Sequence, residues 1–378
     1  MNRENQMPRS IADASAKRTQ VQSQFFQKQL AGEEGPSLET AKRLCDIVTE
    51  FPLLQPWKIL ADRDLILVED PQSGDVCYCS VMGALGEVYS LHVYIGPESY
   101  RFYRRVSAGE PIMFGDFFAS QRGLSAEFVR FSELTLPDRQ LLHDVGHTAR
   151  KRVRAPIFRA YRPGYYPWYV TQQEATLLIR CLQAVITVCG MLPNDKSAYW
   201  AEEDVYPFLV PVGSDESRRD YEIKLVKALE PPPAPLQITR LKPAQVQGIR
   251  KENFPPGGMF EVDHFFSSAM TGEKNERKAC LRVGMAADAA TGIVFPPVLA
   301  KPEDATADIL VTAIVKAIQT ARCLPREVHV TDKTFKVLLE PLAEELGFPV
   351  RVRKSMAALE LAKDHLLSMM GDPGPYLG

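Results

Sequence analysis

From Arg150 to Tyr169 the chain reads R-K-R-V-R-A-P-I-F-R-A-Y-R-P-G-Y-Y-P-W-Y, and no acidic residue occurs between Asp144 and Glu174. Arg150, Lys151, Arg152, Arg154, Arg159 and Arg162 share this window with the interleaved aromatics Phe158, Tyr161, Tyr165, Tyr166, Trp168 and Tyr169. Guanidinium groups grip phosphate and aromatic faces stack on bases, so this composition suits single-stranded nucleic acid. An acidic protein partner or an anionic ligand would meet the same chemistry. The other reading is structural. The Pro-Gly-Tyr-Tyr-Pro-Trp loop packs on a core, and its arginines pair with acids elsewhere or lay their stems over apolar surface.

Other constellations are weaker. His143 and His147 stand four apart in L-H-D-V-G-H. A zincin needs Glu directly after the first His and a third ligand, and neither is present. Cys77 and Cys79 form C-Y-C in an alternating stretch, which puts both side chains on one face of a strand. No second pair with zinc spacing accompanies them, so they read as buried small hydrophobes, as do Cys181 and Cys189 on an apolar helix. The glycines of GALGE at 83–87 and PPGG at 255–258 lack a phosphate-loop lysine.

Composition sets the frame for these residues. A chain of 378 residues exceeds one ordinary domain of roughly 150. Hydrophobic residues at 45% and charged residues at 24% are globular values. Lys+Arg 45 against Asp+Glu 47 leaves no global basic field. No uninterrupted apolar run reaches the roughly 18 residues of a spanning helix. The first twenty residues have no apolar core of the signal-peptide kind. The seven cysteines are an odd number in a long chain, which suits free thiols. The expectation is a cytoplasmic protein without a membrane contact.

The elements that must hold the candidate residues follow from periodicity. Residues 1–36 are polar and read as a flexible arm. Ser37 caps an amphipathic helix, and D-L-I-L-V-E-D-P-Q-S-G-D-V-C-Y-C reads as a hairpin followed by a third strand, L-H-V-Y-I-G. L-P-D-R-Q-L-L-H-D-V-G-H-T-A-R-K-R reads as one helix with Pro137 in its first turn. Thr171 and Glu174 form a T-x-x-E capping box ahead of the clearest helix, which Gly190 stops. The Pro-rich stretch L-E-P-P-P-A-P-L is an extended spacer. These signals predict an α+β protein: a mixed α/β N-terminal domain over 37–228, a linker over 229–249, and a second domain over 250–372. That second domain reads strand, strand, strand, helix, strand, helix, strand, helix. Pro341 must kink or split its second helix. A meander followed by strand–helix alternation implies a mixed sheet with helices on its faces.

Over roughly 258–370 this order resembles the ribonuclease H-like fold, the core shared by ribonuclease H and the retroviral-type integrases and transposases. The likeness rests on element order and on acidic positions. An Asp stands within the first strand (Asp263 in M-F-E-V-D-H-F-F), and another closes a strand introduced by Pro (Pro325 and Asp332 in L-P-R-E-V-H-V-T-D). The last helix offers Glu360 or Asp364. The resemblance implies that Asp263, Asp332 and Glu360, with Asp364, hold Mg²⁺ or Mn²⁺. Two such ions about 4 Å apart activate water and stabilise the leaving oxygen. Two departures stand out: the gap from Asp332 to Glu360 is short for an integrase, and no basic channel accompanies the acids. Read on their own, Asp332 can cap the following helix, and Glu360 and Asp364 can be a solvated helix face. Asp263 lies inside an apolar strand and needs a partner.

The whole chain also resembles a bacterial family of uncharacterised two-part proteins. V-M-G-A-L-G-E-V-Y-S-L-H-V-Y-I-G, the R-x-x-x-P-x-F-R-x-x-x-P-G-x-x-P-W stretch from 152 to 168, and T-G-I-V-F-P-P-V-L-A carry that likeness. It implies architecture and a bacterial origin but no mechanism. The leading expectation is a binding or accessory protein with a non-catalytic ribonuclease H-like domain. The alternative is a divalent-metal-dependent nuclease or phosphodiesterase.

Overall fold

The computed structural model describes residues 33–147, 153–192, 199–211, 221–228, 232, 235–273 and 276–370. Two sheets organise them, one in each half of the chain. The first has seven strands: β1 (Ile66–Glu69), β2 (Val76–Met82), β3 (Ser90–Ile95), β4 (Gly123–Val129), β5 (Ala155–Tyr161), β6 (Val205–Pro211) and β7 (Tyr221–Lys227). Their spatial order is β5-β4-β3-β2-β1-β6-β7. Only the β1–β6 pair is parallel.

Alternation along β2 to β5 sends Cys77, Cys79, Leu91, Val93, Leu124 and Ala126 to one face, where two helices cover them. These are α1 (Leu38–Val48) and the long helix Gln172–Met191. Each starts as its cap residue dictates. Ser37 Oγ accepts from Thr40 N at 3.1 Å. Thr171 and Glu174 bond each other's backbone N–H groups at 3.3 and 2.8 Å. A cap of this kind stabilises its helix by about 1 kcal/mol. The Gln172–Met191 helix is long and apolar enough to cross a membrane, yet 67% of its apolar window is buried inside the protein. Its apolarity is therefore that of a core element. Cys181 sits on it against Cys77 and Cys79, all three fully buried. The hydrogen bond to Cys181 and burial hold the Cys77 thiol far above its ordinary range.

α2 (Glu50–Leu54) precedes β1; between the strands lie α3 (Gly96–Ser107), α4 (Phe114–Ser120) and α5 (Leu136–Asp144), and the Gln172–Met191 helix is α6. The expected single helix from Leu136 into the basic run is not formed. It ends at Asp144, and Gly146 follows with φ 76°. His143 and His147 therefore do not stack on one helix face, and the i, i+4 pairing that zinc would need is absent there.

The second sheet contains β8 (Met259–Thr271), β9 (Ala279–Asp288), β10 (Val298–Ala300), β11 (Glu327–Val330) and β12 (Val350–Val352) in the order β10-β9-β8-β11-β12. β8, β9 and β10 form an antiparallel meander, and β11 and β12 run parallel to β8. On one face lie α7 (Pro243–Lys251), α8 (Thr306–Ala321) and α9 (Lys333–Leu346), burying Phe260, Val262, Val328 and Val330. On the other lies α10 (Ala357–Met370), over Phe265, Val283, Met285 and Ala287.

Two expectations fail here. Pro341 does not split α9; it lies buried within a continuous helix. The ring costs the Val337 carbonyl its intrahelical donor, and core packing of Leu338, Leu339 and Leu342 around it offsets that loss. The spacer also ends earlier than residue 249. Pro243 opens α7, whose Val246 and Ile249 belong to the second core.

A cleft where the two units meet

The two units meet along a seam built largely by the segment 160–169. Its backbone bonds both ways. Trp168 and Ala160 exchange hydrogen bonds at 3.0 and 2.7 Å within the first unit. Tyr166 N donates to Lys278 O at 2.8 Å, and Cys280 N to Gly164 O at 2.8 Å, across to β9. Gly164 has φ +81°, and a Cβ there would stand 2.5 Å from the Pro302 Cβ, so only glycine lets the units approach this closely. Tyr166 is buried with Phe118 and Cys280, and its hydroxyl donates to Ser268 O at 2.9 Å. Tyr165 hydrogen-bonds Glu303.

This arrangement uses the cations singled out in the sequence. Arg159 is 2% exposed and grips both oxygens of Asp138 at 2.8 and 2.6 Å under the Tyr169 ring. Arg162 bonds Glu174 at 2.9 Å and Glu33 at 2.6 Å. Trp168 packs its ring on Tyr169 at 5.2 Å. Arg154 is exposed, bonds Phe128 O at 2.9 Å and covers the Tyr89 ring at 5.0 Å. Arg159 and Arg162 are thus paired with carboxylates within the fold, and Trp168 is half-buried against Tyr169. Arg150, Lys151 and Arg152 lie outside the described residues. A local sequence cannot show this, because the matching acids are Asp138, Glu174 and Glu33, from three other elements.

The carboxylates behave differently. In the second sheet the chain leaves β8 for β9 on one side and returns to β11 on the other. Such a reversal leaves a crevice beyond the carboxyl ends of the parallel strands. β11 pairs with β8 only as far as His329 opposite Glu261. Asp263 and His264 therefore emerge beside Thr331 and Asp332. A cleft of about 850 Å³ opens there, lined also by Phe266, Arg282, Phe335 and Lys363, with Phe114, Phe118 and Gly164 of the first unit as its far wall.

Asp263 Oδ1 accepts its neighbour's N–H (His264) at 2.8 Å, and Oδ2 lies 3.5 Å from Lys363 Nζ. Burial raises the Asp263 carboxyl above its ordinary range, against the pull of Lys363 and the His264 N–H. Asp332 does cap a helix, since Oδ1 accepts from Thr334 N at 2.6 Å, and it lines the cleft as well. His264 Nε2 accepts from Arg282 Nε at 3.1 Å. Burial, with Arg282 and Lys363 nearby, pushes the His264 imidazole down to about 3, so it is neutral. Arg282 is buried, and its remaining donors go to the carbonyls of Lys301, Pro302 and Asp304 and to Thr306 Oγ1.

Glu360 and Asp364 do not join Asp263 and Asp332. Both are exposed, and Glu360 turns back to accept from Met356 N at 3.1 Å at the start of α10. The α10 residues that face the cleft are Lys363 and Leu367. A two-metal centre needs carboxylates converging from strand and helix. Here the helix supplies an ammonium group, so the donor set does not fit such a centre. Among the described residues no group of three or more His, Cys, Asp or Glu is placed to hold a metal ion.

Two positions that shape the cleft are not marked by the sequence pattern. Lys363 was hidden between two acids at helical spacing. Glu261, on the Asp263 face of β8, is 6% exposed and accepts from Leu359 N at 2.8 Å, which pins the start of α10. Strict alternation in F-E-V-D was the signal available for it.

Comparisons with known proteins agree with a two-part chain. Residues 42–209 match a family described as a domain of unknown function (DUF7309), and residues 245–367 match a second domain of unknown function (DUF6930). No curated protein matches the chain. Among solved structures, the HTLV-2 integrase catalytic core domain in complex with magnesium (trimeric form) aligns at 15% identity with a TM-score of 0.20. The alignment covers 29% of this chain and 66% of that one.

Proposed function

We propose that this is a bacterial, cytoplasmic binding or accessory protein whose second unit is a ribonuclease H-like scaffold without metal-dependent catalysis, and that the seam cleft is its ligand site. The strand–strand–strand–helix–strand–helix–strand–helix order and the mixed sheet support the scaffold. The observation that carries the functional reading is Lys363 Nζ, 3.5 Å from Asp263 Oδ2, where a metal site would require a third carboxylate. The ammonium neutralises Asp263 and repels an entering cation. What the cleft retains is binding chemistry: the outer oxygen of Asp332, the Lys363 ammonium, and the rings of Phe118, Phe266 and Phe335.

Calorimetric titration of Mn²⁺ into wild type and Asp263→Ala tests this. The reading expects no site-specific heat that the substitution removes. A stoichiometric wild-type isotherm lost in Asp263→Ala would favour the metal-dependent nuclease instead, with Asp263 and Asp332 as its ligands.

A further inference from the structure

A charged cluster at the seam, outside the cleft, joins three parts of the chain. Arg277, just before β9, is 8% exposed and donates to Ala160 O of β5 at 3.1 Å. Its Nη2 lies 3.1 Å from Glu33 and 3.9 Å from Glu174, and its Nε has no partner. The other oxygen of Glu33 holds Arg162 at 2.6 Å. The segment that carries Glu33 is itself fixed on α6: Gln172 N donates to Glu34 O at 3.0 Å, and Ser37 N to Gln172 Oε1 at 2.6 Å.

A guanidinium this deeply buried is tolerated only while its charge is matched nearby. Without Glu33, the nearest carboxylate to Arg277 is Glu174 at 3.9 Å, which Arg162 already engages at 2.9 Å. The cheapest relief is for Arg277 to reach water. That motion drags residues 277–280, and these carry both backbone seam bonds, Tyr166 N to Lys278 O and Cys280 N to Gly164 O.

We propose that Glu33 is an ionic latch on the seam: seated between Arg162 and Arg277 it holds the two units in register, and its release opens the cleft. The statement about the cleft rests on the reading above, whereas the latch itself does not.

Cys280 reports the seam directly, because it is fully buried between Phe118 and Tyr166. In the full chain, alkylation by iodoacetamide is followed by mass spectrometry, with Cys181 in the first core as internal reference. Glu33→Gln should speed Cys280 labelling at least about tenfold through local opening, with Cys181 protected throughout. Glu34→Gln, one residue along and outside the ion network, should label at the wild-type rate. An unchanged Cys280 rate in Glu33→Gln would overturn the latch. So would a parallel rise at Cys181, which would mean global unfolding. Neither outcome depends on what the cleft binds, which the Mn²⁺ titration reads separately.

Discussion

The 160–169 loop and the Asp263–His264 stretch of β8 both carry polar groups into partly buried surroundings, and they treat them in opposite ways. In and beside the loop, each of these cations is paired with a carboxylate. Arg159 meets Asp138 through two short bonds, and Arg162 meets Glu174 and Glu33. In the cleft, charge is under-committed. Asp263 accepts one backbone N–H and has one long contact with Lys363, and Asp332 engages only one oxygen in capping. Saturated polarity fixes a fold, because a satisfied group has nothing left to offer a ligand. Unsaturated polarity at the carboxyl ends of parallel strands is what binding requires. By composition alone, the loop looks the more functional of the two. Its partners show that its cations are paired within the fold.

Breaking the loop side should give the largest effect. Asp138→Ala strands the Arg159 guanidinium at 2% exposure and should cost about 3–5 kcal/mol, read by urea denaturation. A loss below about 1 kcal/mol would mean that Arg159 reaches water and the loop is looser than described.

Acid sharpens the comparison further. The folded protein holds His264 near 3 and His92 near 4, both below the ordinary 6.5, chiefly through burial. Below pH 6.5 the unfolded chain takes up these protons and the folded one does not, so stability falls as pH falls and rises as pH rises. The loss is about 2 kcal/mol per histidine by pH 5. Asp263 acts in the opposite sense, because its folded carboxyl is raised. Thermal melts from pH 7 to pH 5 should therefore drop, with a shallower slope in His264→Asn. A His264→Asn slope equal to that of the wild type would show that His264 is hydrated in the cleft.

Much of this was legible in the sequence, for physical reasons that differ between regions. The caps at Ser37 and Thr171 are local chemistry and were readable. So was the meander-then-alternation order of the second unit, because each of its elements has its own period. The placement of Asp263 and Asp332 was partly readable, as residues within and at the end of strands. The rest depended on distance in space. That Lys363 rather than Glu360 faces the cleft is set by the rotation of α10, which Glu261 fixes through Leu359 N. That Arg162 is neutralised depends on Glu33, 129 residues away. Strands β4 to β7 were not assigned either, since edge and two-sided strands such as β7 lack clean alternation.

Lys363 stands beside Asp263 where a metal site would need a third carboxylate, and one substitution tests the proposed metal-free cleft most directly. Lys363→Glu removes the ammonium and places a third carboxylate beside Asp263 and Asp332. Melting temperatures of wild type and Lys363→Glu are compared with and without Mn²⁺. The expected result is a wild-type transition that the metal leaves in place, and a variant that is less stable alone through like-charge repulsion but is raised by Mn²⁺. A wild-type transition that Mn²⁺ itself raises, and that Lys363→Glu does not improve, would contradict it.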